Sequence, residues 1–235
     1  MTVQIDLWLW PLDRPEGEVA AHRAWLSPDE RTRADRFARP RDGARFVIGR
    51  GRLREILGGY VGCAPGAVSF EMVAQKKPAL SGGPAFNLSH SGGWAALAVA
   101  PDAPDLALGI DIEAHRPIEH ALARRFFSAA EQTAMEALAP QDWQLGFFQA
   151  WTRKEAVIKA TGDGLYADLA GFDVSLGRAV AAQVLRTTPP MPEARDWTLS
   201  DLDTGPAFSG ALAAITHGIP IQVAIREGHL PLPQL

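Results

Sequence analysis

The sequence predicts an α+β protein built from two subdomains side by side, and three observations predict it. "PDAPD" (101–105) is a proline-rich break with sequence of similar weight on both sides, which sets the expected boundaries at 1–104 and 105–235. Each side combines helix-bearing segments with short alternating apolar runs, the mark of a small, mostly antiparallel sheet. The 235 residues, 47% hydrophobic, are enough to bury a core in such an arrangement.

Taken in order, "VQIDLWLWPL" alternates and reads as a strand ending at Pro11. "LSPDERTRADRFA" carries a helix start, with Ser27 as N-cap, Pro28 at the first position and Glu30 three residues after the cap. "RDGARFVIGRGRLREILGGY" follows as a longer helix, expected to stop at Gly58-Gly59. "PAFNLSHS" and "WAALAVA", joined through Ser91-Gly92-Gly93, resemble a hairpin. After the break comes the strand "LALGIDIE", then a helix near Ser128 whose capping box is Ser128 and Glu131. The helix "DWQLGFFQAWTRKEAVIKATG" is stopped by Gly162 and Gly164, and "GFDVSL", "AVAAQVL", "DWTLSDL", "FSGALAAIT" and "IQVAI" supply the remaining strands.

A net charge of −4 and a pI near 5.9 give no overall positive field to recruit nucleic acid or an anionic membrane. Cys63 is the only cysteine, which excludes an internal disulfide framework and a multi-cysteine metal site. "MTVQIDLWLWPLDRP" lacks a basic leader and carries Asp6, so no signal peptide is expected, and no apolar run is long enough to span a bilayer. A soluble, cytoplasmic monomer is the expectation.

Charge is unevenly spread. Nine arginines lie between Arg31 and Arg54 against two acids, Asp35 and Asp42. Such a run is a solvated basic face or a docking surface for a phosphorylated ligand, whose oxygens match the guanidinium fork. The chain holds four lysines, Lys76, Lys77, Lys154 and Lys159. Asp111 and Glu113, two apart on a strand, project to one face while Ile110 and Ile112 turn to the core. Two like charges so placed are either solvated at an edge or gathered around a hard cation such as Mg²⁺. Glu155 and Lys159, four apart, share a helix face with Trp151 and Phe148; they are an ordinary i,i+4 pair or part of the same site.

"FNLSHSGGW", "GIDIE", "RFFS" followed by Glu131, and "WTRKEAVIKATGDGL", in that order and spacing, resemble the 4′-phosphopantetheinyl transferases of the long, two-half kind that act on synthetase and synthase carrier proteins. The resemblance runs from "LSPDERTRADRFARPRDGARF" through Leu165. It implies a pseudo-twofold α+β fold with coenzyme A, as co-substrate, bound between the halves. It implies Mg²⁺ held by Asp111, Glu113 and Glu155, and catalytic roles for Glu155 and Lys159. Arg33, Arg45, Lys77, Pro78, Ser89, His90, Asp111 and Lys159 match positions that hold the coenzyme. Glu30 departs from the pattern, standing where some relatives carry a lysine near the 3′-phosphate. Coenzyme A would then donate its phosphopantetheine to a serine of an acyl or peptidyl carrier protein, releasing 3′,5′-ADP. The rival readings are a non-catalytic coenzyme- or carrier-binding homologue and a Mg²⁺-dependent phosphohydrolase. The segment "AHRPIEHALARRFFSAAEQ" either docks the carrier, through Arg116, Arg124, Phe126 and Phe127, or buries both phenylalanines in the core with its arginines solvated.

Overall fold

The structure, a computed structural model, describes residues 2–73, 77–162, 168–177, 180–228, 230 and 232. The first half contributes β1 (Val3–Pro11), α1 (Glu16–Trp25), α2 (Pro28–Asp35), α3 (Pro40–Val61), β2 (Glu71–Val73), β3 (Lys77–Ala79), β4 (Ala85–Ser91) and β5 (Trp94–Ala100). The second contributes β6 (Leu108–Ala114), α4 (His120–Phe126), α5 (Ala129–Glu136), α6 (Pro140–Thr161), β7 (Asp173–Val174), β8 (Val184–Arg186), β9 (Trp197–Asp201), β10 (Phe208–Ile215) and β11 (Ile221–Glu227).

Two sheets carry the fold, with strand orders β11-β1-β5-β4 and β6-β10-β9. Alternation sorts their side chains: Ile5, Leu7 and Leu9 of β1 meet Leu108, Ile110 and Ile112 of β6 in a core between the sheets. The opposite faces carry helices. Trp10 and Leu97 pack with Ile48, Leu53 and Leu57 of α3, while Ala211 and Ala213 pack with Phe148, Ala156 and Ala160 of α6. Two helix-covered sheets set face to face are the α+β, two-subdomain architecture expected.

The halves repeat one another residue by residue. Ile5-Asp6-Leu7-Trp8 matches Ile110-Asp111-Ile112-Glu113. Ser27–Glu30 and Ser128–Glu131 both form complete capping boxes, which stabilise a helix start by about 1 kcal/mol. Both α3 and α6 are 22 residues long, start at a proline (Pro40, Pro140) and end at a left-handed glycine (Gly62, φ 69°; Gly162, φ 81°). At the fifteenth position of each, a buried cation reaches the capping-box glutamate: Arg54 pairs with Glu30 at 2.8 Å and Lys154 with Glu131 at 2.6 Å. The sixteenth positions are Glu55 and Glu155.

Three readings need amending. α3 does not stop at Gly58-Gly59 but runs on to Val61. Gly58 is there for closeness, since a Cβ would lie 2.7 Å from the carbonyl oxygen of Cys63. Helix α1 carried no signal that was read, because none of its residues is fully buried. The last strand, β11, leaves the second half and pairs in parallel with β1, so the C-terminal segment is shared between the halves. Gly164 lies outside the described residues. Among those described, no helix is long and apolar enough to cross a membrane.

Candidate active site

The two sheets meet where β4 runs beside β6 without a backbone ladder between them. Side chains replace it. Asn87, Ser89 and Ser91 alternate along β4 and so face one way. Asn87 Oδ1 accepts from the N–H of Ile110 at 2.8 Å, Ser89 Oγ from Ile112 at 3.3 Å, and Ser91 Oγ from Ala114 at 3.1 Å. Each buried N–H of this open edge is thereby satisfied. The same hydroxyls donate onward: Ser89 Oγ to Asp111 Oδ1 and Ser91 Oγ to Glu113 Oε2, both at 2.8 Å. The seam that joins the halves thus also fixes the two acids of β6.

Helix α6 brings the rest. A Cβ on Gly109 would lie 2.0 Å from the carbonyl oxygen of Ala156 and 2.6 Å from the amide nitrogen of Ala160. Glycine on the strand and alanines on the helix therefore let α6 lie against β6 backbone to backbone. That contact brings Lys159 Nζ to 2.6 Å from Asp111 Oδ1 and 3.1 Å from Ser89 Oγ. Glu155 faces the same acids: burial pushes its carboxyl above the usual range, and the charges of Asp111 and Glu113 add to the push. Asp111 is buried and pushed upward too, chiefly by burial, with Lys159 and Ser89 opposing.

The chemistry of this donor set fits a divalent cation. Asp111 Oδ2 is buried with no hydrogen-bond partner among the described residues. Burial and the neighbouring carboxylates raise the proton affinity of Asp111 and Glu155, a cost that a hard cation relieves. The cage is not closed: among the described residues no three acid, histidine or cysteine side chains converge as a finished metal cluster. Lys159 draws on Asp111, and Arg116 pairs with Glu113 at 3.0 Å.

Beside the seam opens a cavity of about 590 Å³ between α3 and the β4–β5 hairpin. Arg33, Arg45, Pro78 and His90, all singled out in the sequence, line it, and Ser91 and Gly92 lead from it toward Glu113. Arg33 stacks over Phe46 at 5.0 Å and makes no ion pair among the described residues. Arg45 is already engaged with Asp13 at 2.6 Å, an acid it shares with Arg41. His90 stands at the wall, where surrounding protein and then the charge of Lys159 hold its imidazole below the usual range; Arg33 adds to this and Glu113 opposes it. Ser89 belongs to the seam rather than to the cavity wall. The side chain of Lys77 lies outside the described residues.

Several site features escaped the sequence reading. Arg50 lines the cavity over Phe70 at 4.0 Å, paired with Glu30. Glu30 is accounted for: it closes its capping box and receives Arg50 and Arg54, so it is a structural acid. Arg31 is bound to the carbonyls of Arg23 and Ala24 and does not reach the cavity. Lys154 is fully buried on Glu131 and the carbonyl of Phe172. Phe127 is a correction: only 2% exposed and stacked on Phe147, it is a core residue and cannot anchor a partner.

Comparison with known proteins identifies the family. Residues 107–214 match the model of the 4′-phosphopantetheinyl transferase superfamily, and residues 14–102 match that of the 4′-phosphopantetheinyl transferase N-terminal region. The 4′-phosphopantetheinyl transferase HetI of Nostoc sp. is 41% identical over 85% of this chain and 82% of its own. For psf-1 of Bacillus pumilus the figures are 36%, 72% and 72%, and for Sfp of Bacillus subtilis 31%, 70% and 74%. A solved holo-[acyl-carrier-protein] synthase of Thermotoga maritima aligns over 47% of this chain and 64% of its own, with 16% identity and a TM-score of 0.37, too partial a likeness to argue from. The chain belongs to the 4′-phosphopantetheinyl transferases. It is therefore an enzyme that transfers a 4′-phosphopantetheinyl group.

Proposed function

We propose that the protein takes this group from coenzyme A and places it on a serine of an acyl or peptidyl carrier protein, with the seam between β4 and β6 as the reaction centre. One observation carries the reading: a cavity lined by Arg33, Arg45 and Arg50 lies beside the seam at which Asp111, Glu113, Glu155 and Lys159 gather, with Ser91 at its wall bonded to Glu113. In this reading residues 1–104 supply the nucleotide pocket and residues 105–235 the acids. Arg33, Arg45, Arg50 and His90 receive the phosphates and adenosine end, with Pro78 at the rim.

Asp111, Glu113 and Glu155 would hold Mg²⁺, which when bound supplies charge neutralisation at the pyrophosphate. Glu155, its proton affinity raised, takes the proton from the carrier serine hydroxyl, directly or through a water. The serine oxygen forms a bond to the pantetheine-side phosphorus as the anhydride P–O bond breaks, and 3′,5′-ADP leaves. Lys159, held by Asp111 and Ser89, places a positive charge where the phosphate oxygens gain negative charge. The carrier approaches from the α4 side, where Arg116 and Arg124 are exposed and Phe126 stands half-buried, edge-on to Trp151.

The test is the mass of an apo carrier protein incubated with coenzyme A, Mg²⁺ and this protein. A gain of one phosphopantetheinyl group with matching release of 3′,5′-ADP is expected. Nucleotide binding without transfer would mark a binding homologue, and hydrolysis of coenzyme A without an acceptor would mark a phosphohydrolase.

A further inference from the structure

Three rungs join β4 to β6, and they differ in what else they touch. Asn87 accepts one backbone N–H and reaches no acid. Ser89 accepts the N–H of Ile112 and the ammonium of Lys159 and donates to Asp111. Ser91 accepts the N–H of Ala114 at 3.1 Å and donates to Glu113 Oε2 at 2.8 Å. A backbone N–H can only donate, so the single hydroxyl proton of Ser91 is committed to the carboxylate. A hydroxyl accepts and donates through one atom, as Ser89 and Ser91 both do here, whereas the Asn87 carbonyl oxygen can only accept.

We propose that Ser91 is a positioning residue: it pins Glu113 Oε2 to the seam and so turns the other carboxylate oxygen toward the divalent-cation site. The inference rests on the reading of Glu113 as a metal ligand. Ser91 is well placed for this, being paired in register with Trp94 across the hairpin and followed by the left-handed Gly92 (φ 56°), whose Cβ would strike Ala114. Arg116 also touches Oε2, from the solvent side, and is 57% exposed. It can swing away when a cation arrives, whereas the Ser91 contact is fixed by two strands.

Hydrogen bonds behind a metal ligand commonly matter tenfold or more to affinity. The probe is Mn²⁺, bound to the full-length protein without substrates and read by electron paramagnetic resonance. Ser91→Ala should weaken Mn²⁺ binding about tenfold, and Ser91→Thr, which keeps the hydroxyl, should stay within about threefold of wild type. Asn87→Ala should lower the Tm without moving Mn²⁺ affinity, because it removes a rung that touches no acid. Should Ser91→Ala fail to fold, Ser91→Cys, a weaker donor, should give an intermediate loss. Wild-type affinity in Ser91→Ala (or in Ser91→Cys), or an equal loss in Asn87→Ala, would overturn the positioning role while leaving the metal reading standing. Absence of Mn²⁺ binding by the wild type would overturn the metal reading itself, and this proposal with it.

Discussion

Helices α3 and α6 share their length, their first residue and their final left-handed glycine, yet only α6 lies closely along its strand. The cause is a few side chains. Where β6 has Gly109 against Ala156 and Ala160, the matching positions of the first half are Gln4, Ile56 and Tyr60. Tyr60 fills the gap, donating its hydroxyl to Asp6 at 2.6 Å; burial, and then that bond, push its pKa up to about 12. Asp6, the counterpart of Asp111, is further neutralised by Arg226 at 2.8 Å. Glu55, the counterpart of Glu155, is tied to Arg52, which also holds Glu227. Trp8 stands where Glu113 would be, and Gly59 where Lys159 would be. The repeated frame is therefore indifferent to chemistry. What separates the halves is how closely the helix approaches its strand, and that Asp111 keeps Oδ2 without a hydrogen-bond partner among the described residues whereas Asp6 and Glu55 are held by Tyr60, Arg226 and Arg52.

The comparison breaks most sharply at the sixteenth helix position. Glu155→Gln should lower the transfer rate by about 10²–10⁴, the usual contribution of a general base. Glu55→Gln loses only an exposed ion pair, so it should cost about 0–1 kcal/mol of stability and leave the rate unchanged. The two should also differ in pH dependence. Glu155 binds its proton more tightly folded than unfolded, so its contribution to stability is present at acid pH and lost as the pH rises through its folded pKa. Without divalent cation, Glu155→Gln should therefore melt higher than wild type at pH 8, with the gap closing toward pH 4. A constant gap would deny that the fold raises the proton affinity of Glu155.

At the fifteenth position both halves should suffer, unequally. Lys154 is fully buried and Glu131 nearly so, so Lys154→Met should cost about 3–5 kcal/mol by stranding a buried carboxylate. Arg54→Met should cost less, because Glu30 keeps Arg50. Pairing Lys154→Met with Glu131→Gln should recover much of the loss in a denaturant titration.

Gly109→Ala sharpens the distance argument. The new Cβ must push α6 away, and a displacement near 1 Å at the reacting groups costs about 100-fold in rate. Gln4→Ala, at the matching position, should leave activity intact. The smallest effect belongs to His90. A bound phosphate would oppose the burial and the positive charges of Lys159 and Arg33 that now hold its imidazole low. Binding of 3′,5′-ADP should then take up protons, seen as a buffer-dependent enthalpy that His90→Gln removes, with a few-fold tighter affinity at pH 6 than at pH 8.

The elements were legible because their signals are local. Capping boxes at Ser27 and Ser128, terminal glycines and alternation all act within one turn or one strand. Spacing put Asp111 and Glu113 on one strand face and Glu155 and Lys159 on one helix face, but only the family resemblance joined the two pairs into one site. What stayed hidden depends on contacts between distant segments. Nothing local says that Glu30 neutralises two arginines of α3, that Phe127 turns inward beside Phe147, or that β11 returns to β1. The seam roles of Asn87 and Ser91 were not expected, although an N-x-S-x-S strand near an Asp-x-Glu strand is a signal that could have revealed them.

The claim that Glu155 reacts while its first-half counterpart Glu55 does not is tested most directly by the carrier assay run on matched variants. With coenzyme A and Mg²⁺, wild type and Glu55→Gln should both add one phosphopantetheinyl group per apo carrier at similar rates, while Glu155→Gln should leave the carrier mass unchanged over the same time. Transfer by Glu155→Gln at the wild-type rate, or loss of transfer in a folded Glu55→Gln, would contradict the account.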